Sequence, residues 1–171
     1  MVNNNMKNGL EFGYFRKRDP VGGKQMDISK TIVVLLVEDE PADQKLVKNA
    51  LVNHEMDYAL YVAENGEEAL EYLQRSKCGD TGSPRPNLIL LDLNMPRMGG
   101  KEFLRHIKAD DDLCSIPVVV LTVSDAKTDI QESYKLRAAG YVQKSASSQE
   151  FQKVMDKLAK YWFETSSVAK N

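Results

Sequence analysis

The chain has 171 residues, 42% of them apolar and 28% charged, with a net charge of −2 at neutral pH. That balance suits one soluble domain with its own core and excludes the basic field that binding to nucleic acid or a membrane surface requires. No apolar run approaches the ~20 residues of a membrane span, no N-terminal h-region marks a secretory signal, and the two cysteines, Cys78 and Cys114, make neither a CxxC pair nor a metal-ligand spacing.

Residues 1–28 contain Asn3-Asn4-Asn5, glycine turns and the charged stretch FRKRDP, with no sustained period. They are read as a flexible arm in which Arg16, Lys17 and Arg18 form a solvated charge cluster, and Met26 stands just before the regular part. From Thr31 the pattern changes: TIVVLLV is a β-branched and aliphatic run, the signature of a strand buried on both faces. The helix that follows carries Leu46, Val47, Ala50 and Leu51 in one stripe, and Pro41 falls in its first turn, where a missing N–H costs nothing. YALYVA is the second strand, and the helix from Gly66 to Ser76 turns Ala69, Leu70 and Leu73 inward.

After the turn-rich connector KCGDTGSPRP, NLILLD is the third strand and KEFLRHIKA the third helix, with Phe103, Leu104 and Ile107 inward. IPVVVLTVS is the fourth strand, and KTDIQESYKLRAA a fourth helix with a thin apolar face of Ile130 and Tyr134. GYVQK is a short fifth strand. The last helix runs to Phe163, with Phe151, Val154, Met155, Leu158 and Trp162 on one side. Five β-α units with right-handed crossovers make a doubly wound α/β fold with a parallel sheet, helices covering both faces. The folded unit is expected over residues 29–164, with a short tail at 165–171.

In such sheets a ligand binds beyond the carboxyl ends of the strands, and that rule turns strand ends into candidates. Strand one ends in Glu38-Asp39, strand three in Asp92, strand four in Thr122 and strand five in Lys144. Asp92 is the most telling. A lone Asp after a strand is most often a helix cap or turn former, but the next helix begins only at about Gly100. Taken singly, Glu38-Asp39 caps a helix, Thr122 is ordinary strand chemistry and Lys144 is a surface lysine. Together they aim three carboxylates, a hydroxyl and an ammonium at one place. Two like charges ~4 Å apart cost on the order of 4 kcal/mol at an effective dielectric of 20. A cation or a proton must therefore be present, and an all-oxygen cluster suits Mg²⁺. His54, at a helix C-terminus, and His106, between Arg105 and Ile107, are not expected to take part.

From Thr31 to Phe163 these residues resemble the receiver domains of two-component response regulators. The resemblance rests on the acidic pair after strand one, LLDLNMP, a Thr after strand four and a Lys after strand five, with Tyr141 at the family's aromatic switch position. It implies a flavodoxin-like sheet of strand order 2-1-3-4-5 and a phosphorelay signalling protein rather than an enzyme acting on other substrates. It further implies that Asp92 accepts a phosphoryl group from a sensor histidine kinase. Glu38, Asp39, Asp92 and the backbone carbonyl of Asn94 would hold Mg²⁺, and Thr122 and Lys144 would contact the phosphoryl oxygens. More narrowly, SPRPNLILLDLN, IPVVVLT and KLAKYWFET are similar to the single-domain regulators paired with cyanobacterial phytochromes. That implies a phytochrome-type kinase partner, a homodimer through the helix four, strand five, helix five face, and a cytoplasmic site of action. No DNA-binding segment is expected after Trp162, so output is expected through protein contact.

One position departs from the family pattern. Ser145 stands where many receivers have a cis proline, and a non-proline cis bond costs ~3 kcal/mol. The loop is thus expected to be either trans or strained. Three alternatives are weighed, of which a non-phosphorylated scaffold of receiver fold is disfavoured because no site residue is missing. A haloacid-dehalogenase-type phosphatase also uses a strand-end Asp, but wants a second Asp two residues on, where this chain has Asn94. A flavodoxin-like flavin module needs a phosphate cradle rich in free N–H groups, and Glu38-Asp39-Glu40 would repel the phosphate.

Overall fold

Aliphatic runs that fill both faces of a strand belong at the middle of a sheet, and that is where the computed structural model places IVVLLV and LILL. It describes residues 3–7, 10–15, 31–51, 58–145 and 147–165. His54, the cluster Arg16, Lys17 and Arg18, Met26 and the tail from 166 onward lie outside the described residues.

The elements are β1 (Asn3–Lys7), β2 (Leu10–Phe15), β3 (Ile32–Val37), α1 (Pro41–Leu51), β4 (Tyr58–Ala63), α2 (Gly66–Lys77), β5 (Leu88–Leu91), α3 (Gly100–Ala109), β6 (Val118–Thr122), α4 (Lys127–Lys135), β7 (Gly140–Gln143) and α5 (Ser148–Ala159). A wide π-helical turn over Lys160–Thr165 continues α5. The sheet order is β1-β2-β4-β3-β5-β6-β7. Counted from β3, its five parallel strands run 2-1-3-4-5, as the sequence predicts.

The arm differs from expectation. Residues 3–7 and 10–15 are not structureless: β1 and β2 pair antiparallel, and β2 adds antiparallel to β4, with Phe12 opposite Tyr61. The physical cause is legible afterwards. LEFGYF alternates Leu10, Phe12 and Tyr14 with other residues at a period of two, the pattern of a strand.

Two apolar layers enclose the sheet. On one face Val33, Leu35, Ile89, Leu91 and Val120 pack with Ala69, Tyr72 and Leu73 of α2 and Phe103, Leu104 and Ile107 of α3. On the other, Val34, Leu36, Leu60, Leu90 and Leu121 pack with Val47, Ala50 and Leu51 of α1 and Phe151, Met155, Leu158 and Ala159 of α5. Two expected stripes are corrected. Tyr134 is 53% exposed, so α4 does not seat both Ile130 and Tyr134, and among its residues only Ser133 is buried. Val154 is also exposed, while Ala159 joins the inward stripe of α5.

Candidate functional site

The site is built from strand ends. The register pairs Val37 of β3 with Leu91 of β5, so the chain leaves both strands at the same height and sets Glu38 beside Asp92. The Asp92 N–H donates to the Val37 carbonyl at 2.9 Å and the Glu38 N–H to the Ala63 carbonyl at 2.9 Å. These bonds continue the ladder one residue past the strands, so both carboxylates leave from fixed backbone. Glu38 and Asp92 are buried and Asp39 is half-buried. Glu38, Asp39 and Asp92 each offer an oxygen within 4.8 Å of the other two.

Thr122 closes β6 and Lys144 follows β7, and the Lys144 N–H donates to the Thr122 carbonyl at 2.7 Å. Both side chains are buried. The Lys144 ammonium donates to Glu38 Oε2 at 2.5 Å and to Asp43 Oδ2 at 2.7 Å, and stands 3.7 Å from Asp92 Oδ2. Burial pushes the Glu38 carboxyl up to about 7, against the pull of Lys144. For Lys144 burial acts downward, but its bonds to Asp43 and Glu38 outweigh it and hold the ammonium above the ordinary lysine range. Asp92 Oδ1 accepts from the Leu93 N–H at 2.8 Å, which leaves Oδ2 facing Lys144. A cluster of only carboxylate oxygens, three of them within one ion's reach, fits a hard divalent cation.

The loop after Asp92 is held against α3. The Gly100 N–H donates to the Leu93 carbonyl at 3.0 Å. A Cβ on Gly100 would lie 2.1 Å from the Asp92 carbonyl oxygen and 2.8 Å from Leu93 Cα, so no other residue fits without moving the backbone under Asp92. Asn94 is exposed, and its amide donates to Thr122 Oγ1 at 3.4 Å. Tyr141 is half-buried, with its hydroxyl donating to the Ser124 carbonyl at 2.9 Å. Lys144–Ser145 is trans, since no cis peptide occurs among the described residues. Ser145 Oγ instead reaches Glu150 at 2.9 Å, next to the Ser147 cap of α5.

The structure thus gathers Glu38, Asp39, Asp92, Thr122 and Lys144 at one edge, with Asn94 and Tyr141 at its border. His106 is exposed on α3, outside this group. The sequence reading missed Asp43 and Gln44. Gln44 is buried and its amide donates to the Glu38 carbonyl at 2.8 Å. It also missed the polar chain from Lys101 through Asp129 to Ser124. An acid in the first turn of a helix is ordinarily explained by the dipole alone, which is why Asp43 carried no separate signal.

A parallel five-stranded core with this acidic edge, its lysine and its threonine defines the class: the chain belongs to the response regulator receiver domain family, whose model matches residues 34–156. Within that family it is similar to response regulator Rcp1 of Synechocystis sp., at 42% identity over 134 residues, covering 78% of this chain and 90% of that protein. The solved Mn²⁺-bound form of Rcp1 matches with a TM-score of 0.75 at 40% identity, over 81% of this chain and 99% of that one. The phosphorylated cyanobacterial phytochrome response regulator RcpA matches with a TM-score of 0.75 at 36% identity, over 81% and 98%. This chain is a phosphorelay receiver, a domain that takes phosphoryl groups from sensor histidine kinases. The phosphatase and flavodoxin-like alternatives are set aside.

Proposed function

We propose that Asp92 is the phosphoacceptor and that the chain signals by a change of surface once Asp92 is phosphorylated. The carboxylate attacks the phosphorus of a kinase phosphohistidine in line. An O–P bond forms at Asp92 as the N–P bond breaks, and the imidazole nitrogen leaves with the electron pair. Lys144 offsets charge on the phosphoryl oxygens and the Thr122 hydroxyl donates to one of them. Glu38, Asp39, Asp92 and the Asn94 backbone carbonyl are the ligand set we assign to Mg²⁺, which when bound would supply further positive charge to those oxygens.

The observation that carries this reading is the setting of Asp92: a buried carboxylate at the central strand end, one oxygen tied to a backbone N–H and the other turned to a lysine 3.7 Å away. As Thr122 turns to the phosphoryl group, Tyr141 gains the space to move inward, a two-state element biased by a covalent charge. The face built by α4, β7 and α5 would read out that change by pairing two chains, and the exposed Tyr134 and Val154 support that assignment. Similarity to RcpA, a cyanobacterial phytochrome response regulator, supports a phytochrome-type histidine kinase as donor, and we place the exchange in the cytoplasm.

Three experiments test the reading. Acetyl phosphate with Mg²⁺ adds a single phosphoryl group to the wild type and none to Asp92→Asn, as read by intact mass. Phosphotransfer from a phytochrome-type kinase outruns that from an unrelated kinase, and sedimentation of both forms over a dilution series shows a dimer. An Asp92→Asn protein that still takes up one group defeats the assignment. Equal transfer from both kinases reduces the donor to any histidine kinase, and a monomer throughout removes the dimer.

A further inference from the structure

The Lys144 ammonium is not aimed mainly at Asp92. It donates to Glu38 at 2.5 Å and to Asp43 at 2.7 Å, and lies 3.7 Å from Asp92. An ammonium has three N–H groups, so one is engaged by Asp43 of α1, one by Glu38 at the end of β3, and one remains for Asp92. Asp43 stands apart from the acidic triad, since the oxygens within 4.8 Å of one another come from Glu38, Asp39 and Asp92. It sits in the first turn of α1, where a helix dipole accounts for an acid of either orientation. The dipole does not account for a bond to a lysine 101 positions away in the chain.

From this arrangement we infer that Asp43 is a positioning residue: it is the counter-charge that holds Lys144 towards α1 and so sets how strongly the site retains a phosphoryl group on Asp92. The inference rests on the reading of Asp92 as phosphoacceptor. A phosphoryl group adds negative charge beside an ammonium that already serves two carboxylates. Asp43 competes with that group for the lysine and repels it through space. The same negative charge favours a cation at the acidic triad. Removing it should therefore act in opposite directions on the two kinds of ligand, tightening an anion and loosening a metal ion. A defect in folding or packing would weaken both.

The test uses the full chain with Asp43→Asn and Asp43→Glu. Beryllofluoride, titrated at saturating Mg²⁺, stands in for the phosphoryl group, and Mg²⁺ alone is titrated separately. Asp43→Asn is expected to bind beryllofluoride about fivefold more tightly and Mg²⁺ about twofold more weakly, since Asp43 is 30% exposed and partly screened. The aspartyl phosphate should last correspondingly longer, and Asp43→Glu should return all three values towards wild type. Unchanged or weaker beryllofluoride binding in Asp43→Asn overturns the inference, as does weakening of both ligands together. Asp92→Asn marks the other failure: if it binds beryllofluoride as well as the wild type does, the phosphoacceptor reading itself falls and takes this inference with it.

Discussion

Every residue of β3 and β5 is buried, and Glu38 and Asp92 follow them with helices packed on both faces. At the β7 edge, Gly140, Tyr141 and Val142 are half-buried, Gln143 is exposed, and α4 buries Ser133 alone among its residues. The first region is held by apolar packing, which resists any displacement because a close-packed core has no spare volume. The second is held by polar bonds: Lys101 to Asp129 and Glu132, Ser124 to Asp129, and Tyr141 to the Ser124 carbonyl. Hydrogen bonds and exposed ion pairs are exchanged at little net cost, so a segment held by them opens well below the global unfolding free energy. On the function proposed above, the contrast assigns the two jobs of a receiver to different physics. Chemistry needs carboxylates that stay where they are, and signalling needs a surface that can move.

The largest expected effect comes from breaking the packed region. Leu90 is fully buried in the layer shared with α1 and α5. Leu90→Ala should cost about 2–5 kcal/mol of stability, transfer and cavity terms together. Tyr134→Ala, on the exposed side of α4, should stay within about 0.5 kcal/mol. Urea unfolding of the two variants beside wild type makes the comparison, and similar losses for both would end it.

A smaller effect is expected where the two regions meet. In Gly100→Ala the new methyl would press on backbone atoms rather than on the tip of a flexible side chain. Overpacking of this kind costs about 1–3 kcal/mol. The displaced atoms belong to Asp92 and Leu93, so acetyl-phosphate labelling should fall by more than the fraction of unfolded protein explains. A variant that loses stability yet labels at the wild-type rate would show that Asp92 is not fixed by this contact.

Much of this was written in the sequence, and the reason is the same asymmetry. Buried strands of a parallel sheet have only one readable pattern, so ILL and VVLLV located β5 and β3, and their ends named Glu38, Asp39 and Asp92 directly. Thr122 and Lys144 followed from the same rule. The peripheral elements were harder because periodicity presumes a core-facing stripe. Tyr134 fits such a stripe, but α4 lies so lightly on the sheet that the ring stays in water. Val154 and Ala159 flank the Phe151, Met155 and Leu158 stripe on opposite sides, and α5 is seated so that Ala159 is the one buried; the π-helical turn that follows leaves Trp162 half-buried and Tyr161 exposed. Asp43 was invisible because its partner is 101 residues away, and no local pattern records a contact of that range.

The smallest expected effect, in free energy, is also the one that most sharpens the comparison. Lys101 stands in the first turn of α3 and donates to Asp129 Oδ1 at 2.7 Å and to Glu132 Oε2 at 2.5 Å, while Asp129 Oδ2 accepts from Ser124 Oγ at 2.5 Å. Through Ser124 this chain of bonds reaches the Tyr141 hydroxyl. Lys101→Met keeps most of the apolar stem and removes the charge. Such exposed pairs contribute little to global stability, so the urea midpoint should not move measurably. Amide exchange should respond instead: α4 and the Ser124 loop should exchange faster in the variant, with β5 unchanged. Salt supplies an independent control, because at about 1 M the screening length shrinks to ~3 Å and weakens the same bonds in wild type. Wild type in high salt should then approach the variant's α4 exchange, and the variant should show little further dependence on salt. If β5 accelerates together with α4, the two regions open as one unit and the division between a fixed chemical centre and a movable reporting edge is wrong.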